Sequence, residues 1–295
     1  MKKIGIALLC IPLLTIVVSL SIHTIVLNRF IHQEVVKKVK HRNKQNTKNT
    51  EVHIIGTVHF ETDSIKRHHL YDYLDRISPS IILYEGDSSA VKRIVKRRDY
   101  FTQLMNFFKR RKEMEKAVAL KYLRNNPNCC LLPYEWELRN TFHRKHQLNK
   151  NSKKLLNALI GLYQKNQLTD QQAASVIQFL RLNKADTKTF REGTITAVNS
   201  AFSDSIIKQR QLYVYKTLPE IAKNRPELAH YSDFIPIHMA YWDIRNKAMV
   251  QNILKQIQQH PNEVIAVFNG YSHRYYLIQE LKKYEGQYKF SLKGI

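Results

Sequence analysis

From residue 51 onward the chain alternates between short β-branched runs and longer stretches whose apolar residues recur three and four apart. Glu51-Val52-His53-Ile54-Ile55-Gly56 reads as a strand closed by glycine. Ile65, Leu70, Leu74 and Ile77 mark a helix over 64–77, stopped by Ser78-Pro79, and Ser80-Ile81-Ile82-Leu83-Tyr84 is a second strand. A strand–helix–strand unit of this length predicts parallel pairing, because the chain must cross over to re-enter the sheet in the same direction. A basic helical stretch comes next over Val91–Leu123, closed by Asn125-Asn126-Pro127-Asn128, and Cys129–Tyr134 is a third strand.

Residues 152–224 carry helical patterning throughout, with a cap at Thr169-Asp170 and a break near Asp186-Thr187. No strand-like run interrupts them, which predicts a helical insertion over about 140–235. Phe234-Ile235-Pro236 precedes an amphipathic helix with apolar positions Ile237, Met239, Ile244, Met249, Val250, Ile253 and Ile257. Glu263–Phe268 is a fourth strand, Arg274–Tyr284 a helix and Tyr288–Leu292 a terminal strand. The expected fold class is therefore α/β: a mostly parallel central sheet flanked by helices, in one domain over 51–295 with a long helical insertion.

The N-terminus has a different pattern. Lys2-Lys3 precedes an almost uninterrupted apolar run over 4–27, long enough to span a bilayer as a transmembrane helix. Ser19-Leu20-Ser21 also resembles a cleavage site, but the apolar run continues past it, which favours a retained single-pass anchor in the lipid bilayer over a removed signal. Residues 28–50 form a basic, Asn-rich juxtamembrane linker. Its lysines and arginines outnumber Lys2 and Lys3, which by the positive-inside rule keeps the domain in the cytoplasm. A signal-like N-terminus instead exports the domain behind it. The side of the membrane stays open, with the extracytoplasmic one as the working expectation.

The chain carries 48 Lys+Arg against 24 Asp+Glu, a formal charge of +24, and the linker removes only part of that excess. Such a balance suits nucleic acid, anionic lipid or acidic substrates, or a host that uses many surface lysines. No zinc-finger, RRM or phosphate-loop pattern accompanies it, so nucleic acid is not the expected partner. Three cysteines are too few for a disulfide framework, and the adjacent Cys129 and Cys130 belong on opposite faces of a buried strand.

The candidate chemistry lies at strand ends. Gly56-Thr57-Val58-His59 and Gly270-Tyr271-Ser272-His273 share the form Gly-x-x-His, and each comes after an apolar run. Glu85 comes after the second strand and Glu135 after the third. In a parallel sheet all four gather at the carboxyl edge, where α/β proteins bind ligands. Gly56 and Gly270 permit a sharp exit from the strand or a close approach by another group. Imidazole and carboxylate together ligate a divalent metal or activate water without one. Arg245, with Asn246 beside it, offers a rigid fork of donors for an oxyanion or a substrate carboxylate, or else forms an ion pair with Asp243 or a carboxylate near the core. His143 and His146 make a His-x-x-His in a basic stretch with no acid or cysteine nearby in sequence to complete a metal site.

The set Gly56-Thr57-Val58-His59, Pro79 through Leu83-Tyr84-Glu85, Asp243-x-Arg245-Asn246-x-x-Met249 and Gly270-Tyr271-Ser272-His273 resembles the TraB/GumN/Tiki group, which is related to the erythromycin esterase and ChaN-like proteins. The resemblance covers most of 51–284 through scattered short motifs and skips the helical middle. It implies an α/β domain whose site is His59, Glu85 and His273, lined by Arg245 and Asn246. Tiki-type members look like metal-dependent proteases, esterase-type members use histidine and glutamate on water, and ChaN-like members bind haem. The second motif here is bulkier than the family's small-residue version, and Tyr271 is expected to narrow the pocket. The expectation is a membrane-anchored hydrolase of a peptide or small-molecule ester. His59, Glu85, His273 and Arg245 are its catalytic set, and Asn246, Glu135 and Tyr271 contact substrate. A divalent metal on His59, Glu85 and His273 is an option. The alternative on the same scaffold is a non-catalytic protein that holds haem or another small ligand.

Overall fold

A computed structural model describes residues 49–96 and 113–294. The apolar segment 4–27, the linker up to residue 48 and the middle of the basic stretch after Lys96 lie outside the described residues. Among the described residues, no helix is long and apolar enough to cross a membrane.

Five strands form one sheet: β1 (Thr50–Thr57), β2 (Ile81–Tyr84), β3 (Cys130–Pro133), β4 (Val264–Gly270) and β5 (Phe290–Lys293). Their order is β3-β2-β4-β1-β5 and every pairing is parallel. The α/β class expected from the alternating pattern is what the chain forms. The helices are α1 (Arg67–Ile77), α2 (Ser88–Lys96), α3 (Met114–Asn125), α4 (Arg139–His146), α5 (Leu148–Gln164), α6 (Asp170–Glu192), α7 (Ile195–Val198), α8 (Ala201–Leu212), α9 (Leu218–Lys223), α10 (Phe234–Gln259), α11 (Tyr271–Leu281) and the short α12 (Glu285–Tyr288). A π-helical turn, Tyr213–Thr217, joins α8 to α9.

Period-2 alternation divides the strand residues between two covers. Ile55, Ile82, Tyr84 and Phe268 face α1 and α3 through Leu70, Leu74, Val118 and Tyr122. Val52, Ile54, Leu83, Ile265 and Val267 face α10 and α11 through Met249, Val250, Ile253 and Leu277. Full burial of each such side chain contributes about 1.5–3 kcal/mol, so these two layers carry the stability that the polar edge of the sheet has to draw on. From α4 to α9 there is no strand; α4, α5, α6 and α9 pack around a third cluster, including Leu155, Leu159, Val176, Phe179 and Leu218, while Val198 of α7 and Ile207 of α8 join the first cluster.

Several boundaries differ from the sequence reading, each for a local reason. β1 starts at Thr50, inside the expected linker, because the Lys289 carbonyl accepts its N–H and Thr50 pairs with Phe290. Gly56 lies within β1 rather than ending it: Asn199 donates to its carbonyl at 2.9 Å and accepts its N–H at 2.7 Å. A Cβ there would sit 3.1 Å from the Tyr271 Cα and from the Arg274 and Asn199 side chains, so the glycine serves close approach. α10 begins at Phe234 with Pro236 in its first turn, a position where the missing N–H costs nothing. Its buried stripe runs through Tyr241, Trp242, Arg245, Asn246, Met249 and Val250, while Ile244 is exposed. Cys130 is exposed although Cys129 is buried, because β3 is an edge strand. α11 starts at Tyr271, directly after β4, three residues earlier than the apolar pattern indicates.

Candidate functional site

The register sets the site. Thr57 pairs with Gly270 and Tyr84 with both Phe268 and Pro133, so β1, β2, β3 and β4 end nearly level. His59, Glu85, Glu135 and His273 come one to three residues beyond those ends. The expected gathering at the carboxyl edge of the sheet is present, but its members do unequal things.

Arg245 is the hub. It reaches the edge from the buried stripe of α10, and its Nη2 donates to Glu85 Oε1 at 2.5 Å and to Glu135 Oε2 at 2.5 Å. Its Nε donates to both Glu135 oxygens, at 3.1 and 3.2 Å, and its Nη1 to His273 Nε2 at 2.7 Å. Asp243, the nearer acid in sequence, pairs with Lys216 instead, at 3.6 Å. Burial opposes the charge on Arg245, and Glu85 and Glu135 more than offset it, so its pKa is raised.

A guanidinium has no lone pair to offer, so the His273 nitrogen it meets must be bare. The proton is then on Nδ1, which donates to Asn246 Oδ1 at 2.7 Å, while Asn246 Nδ2 donates to the Trp242 carbonyl at 2.7 Å. Trp242 stacks on the imidazole at 4.5 Å between ring centres. Burial and then Arg245 push the His273 pKa down to about 3, so it is neutral and both its nitrogens are engaged. For Glu85, burial alone would push the carboxyl up. Arg245, His273, His59 and the N–H of Gly270 together hold it down at about 2. That N–H, at the start of α11, donates to Glu85 Oε2 at 2.5 Å, so the carboxylate also meets the positive end of a helix.

His59 stands apart. Its backbone has φ 63°, a left-handed conformation that non-glycine residues rarely adopt, and its carbonyl accepts the Met114 N–H at 2.7 Å. The side chain is 51 % exposed, and Nδ1 lies 2.7 Å from Oε1 of Glu115, which is almost fully buried on α3. The Thr57 hydroxyl also donates to that oxygen. The hydrogen bond to Glu115 is the main reason the His59 pKa is raised, with Glu85 and Glu113 adding to it against burial. The ring's other nitrogen, Nε2, has no hydrogen-bond partner among the described residues. It lies 2.9 Å from the point a Cβ on Gly270 would occupy. Gly270→Ala should therefore leave the fold within about 1–3 kcal/mol while displacing the His59 ring. A drop in melting temperature of no more than about 12 °C, with a shifted His59 imidazole NMR signal, is the expected pair of results.

The two Gly-x-x-His motifs are thus not equivalent. The first runs through a strand end into an open turn, and the second crosses directly from strand to helix, which buries its histidine. The substrate contacts expected of Glu135, Asn246 and Tyr271 are placed elsewhere. Glu135 is saturated by Arg245 and the Trp136 N–H, Asn246 is fully buried beneath His273, and the Tyr271 hydroxyl donates to Asp186 at 2.6 Å, toward the helical insertion. Tyr271 therefore does not narrow the space at His59. His143 donates to or accepts from the Tyr241 hydroxyl at 2.6 Å, and His146 packs on Phe142, so this pair is not a ligand set.

A divalent cation on His59, Glu85 and His273 does not fit this arrangement. The nitrogen His273 would offer is taken by Arg245, whose fixed positive charge already sits between Glu85 and His273. Among the described residues, no group of three or more His, Cys, Asp or Glu side chains is placed to hold a metal ion. As an axial ligand for haem, His273 is blocked in the same way, and of the two only His59 has a nitrogen without a hydrogen-bond partner among the described residues. Glu115 is the member that sequence reading missed. Its signal was present, since it shares the buried face of α3 with Met114, Val118, Ala119 and Tyr122, a charge on an apolar stripe. Comparisons with known protein families, with curated proteins and with solved structures give no match.

Proposed function

We propose that this chain is a hydrolase acting on a peptide or ester bond, with His59 as the base that activates water. The observation that supports it is the His59–Glu115 pair: a half-exposed imidazole at the carboxyl edge of a parallel sheet, held at Nδ1 by a buried carboxylate, with no partner for Nε2 among the described residues. In this reading Nε2 takes the proton of a water molecule as its oxygen attacks the carbonyl carbon. Glu115 stabilises the imidazolium formed, and the same proton passes to the leaving group as the tetrahedral intermediate collapses.

Glu85 is a poor proton acceptor near neutral pH because its carboxyl is held at about 2. Its part is to keep the rim of the site fixed and negative beside His59, which favours the protonated imidazole. Arg245, compensated by two carboxylates, positions Glu85 and His273. The order and spacing of the four motifs support kinship with the TraB/GumN/Tiki group, and the apolar segment 4–27 supports a single-pass anchor that holds the domain at a bilayer.

The test is turnover of a panel of chromogenic esters and peptides by the purified full chain. Hydrolysis that His59→Gln removes without lowering the melting temperature is the expected result. Equal turnover by the variant would remove the assignment.

A further inference from the structure

A cleft of about 850 Å³ opens between α4, α5, α6, α8, the π-helical turn and α10. It does not include His59 or Glu85 and meets the cluster described above only at Arg245 and Trp242. Its size falls within the range of small-molecule sites, roughly 300–1,000 Å³.

The lining is chemically one-sided. Arg139, Arg144, Lys153, Arg210 and Arg245 contribute to it and, among the described residues, no aspartate or glutamate does. Three of these cations already have carboxylate partners: Arg245 as above, Arg210 with Asp186 at 3.2 Å, and Arg139 with Glu135 at 3.6 Å. Among the described residues Arg144 meets the Thr141 hydroxyl, at 3.5 Å, and neither Arg144 nor Lys153 has a carboxylate partner. His143 in the same wall is held neutral by burial and by Arg139, its pKa pushed down to about 4, so the fixed charge there is that of the arginines and lysine. Leu156, Ile160, Phe179 and Leu180 line the same cleft, and Leu180 is an exposed large apolar side chain. Uncompensated cations and exposed apolar surface are each ordinary on their own. Their meeting within one concavity is a complementary surface for a molecule that carries both features.

We propose that this cleft binds a small organic anion, with its charged group on Arg144 and Lys153 and its apolar body on Leu156, Ile160 and Phe179. The site is separate from the His59 centre and stands whether or not that centre hydrolyses anything.

The probe is 1-naphthalenesulfonate, an aromatic anion with no hydrolysable bond, titrated calorimetrically into the purified full chain, with neutral 1-naphthol as the control. The expected result is saturable one-to-one binding of the sulfonate, at least tenfold tighter than that of 1-naphthol and weaker at higher salt. Arg144 and Lys153 are exposed, so the Arg144→Gln/Lys153→Gln double variant should fold as wild type. It should bind the sulfonate about tenfold more weakly and 1-naphthol unchanged. Leu180→Glu should weaken both ligands, and His59→Gln neither. Absence of saturable sulfonate binding, sulfonate affinity no better than that of 1-naphthol, or unchanged sulfonate affinity in the double variant would overturn the proposal.

Discussion

Arg245→Met is expected to lower the melting temperature by roughly 10 °C or more, or to prevent folding. Removing one partner of a buried ion pair costs about 3–5 kcal/mol, because the remaining charge is stranded without solvent. Here two carboxylates, Glu85 and Glu135, would be stranded, and His273 would lose the donor that fixes its tautomer. For a domain of this size each kcal/mol is worth about 2–4 °C. Arg245→Lys should recover little, since one ammonium cannot reproduce the fork that spans Glu85, Glu135 and His273. Adding Glu85→Gln and Glu135→Gln to Arg245→Met should recover part of the loss by removing the stranded charges. A single Arg245→Met variant that melts within about 2 °C of wild type would show that the cluster is not a buried ionic unit.

The same cluster sets a pH window. His273 has a folded pKa near 3, below its ordinary value of 6.5, so between those values the unfolded chain binds the proton that the folded chain refuses. Stability therefore falls as pH drops from about 6.5 toward 3. Glu85, depressed to about 2, adds a further loss as pH falls through its ordinary value toward its folded one. Chemical denaturation at pH 7.5, 6 and 5 should show a progressive decline that His273→Gln makes shallower, the remainder coming from the other histidines with lowered pKa, His143, His53 and His238.

Loss of the His59 base should cost turnover on the order of 10²- to 10⁴-fold, with little effect on the fold because the ring is half exposed. Glu115→Gln is the more informative change. It keeps the shape of the partner and removes its charge, so turnover should fall about tenfold or more while His59 stays in place. In the proposed mechanism neutral His59 activates the water, so the wild-type rate should rise with pH through a midpoint above 6.5, the value that Glu115 raises. In Glu115→Gln that midpoint should move down toward 6.5. Loss of rate with no movement of the midpoint would mean that Glu115 only holds the fold.

Much of the fold could be read from apolar periodicity, since each strand is a short β-branched run in a parallel sheet covered on both faces. The strand-end residues His59, Glu85, Glu135 and His273 could be placed at one edge for the same reason. Their roles could not, because roles depend on which partner each side chain meets. Arg245 reads equally as a donor to an oxyanion or substrate carboxylate and as the partner of Asp243 or a carboxylate near the core, and only its place on the buried stripe of α10 with Asn246, Met249 and Val250 decides for Glu85 and Glu135. Glu115 is 56 residues from His59 and lies in a stretch whose basic composition reads as solvent-facing. The expectation that Tyr271 narrows the pocket rests on the resemblance, which does not say where its ring points. The observed start of α11 turns its ring toward Phe190 and Asp186.

The most direct measurement is an NMR titration of the His59 imidazole in the full chain and in Glu115→Gln. A wild-type pKa above 6.5 that falls in the variant is the predicted result. A His59 that titrates at or below 6.5 in both proteins would contradict the pairing on which the hydrolytic reading rests.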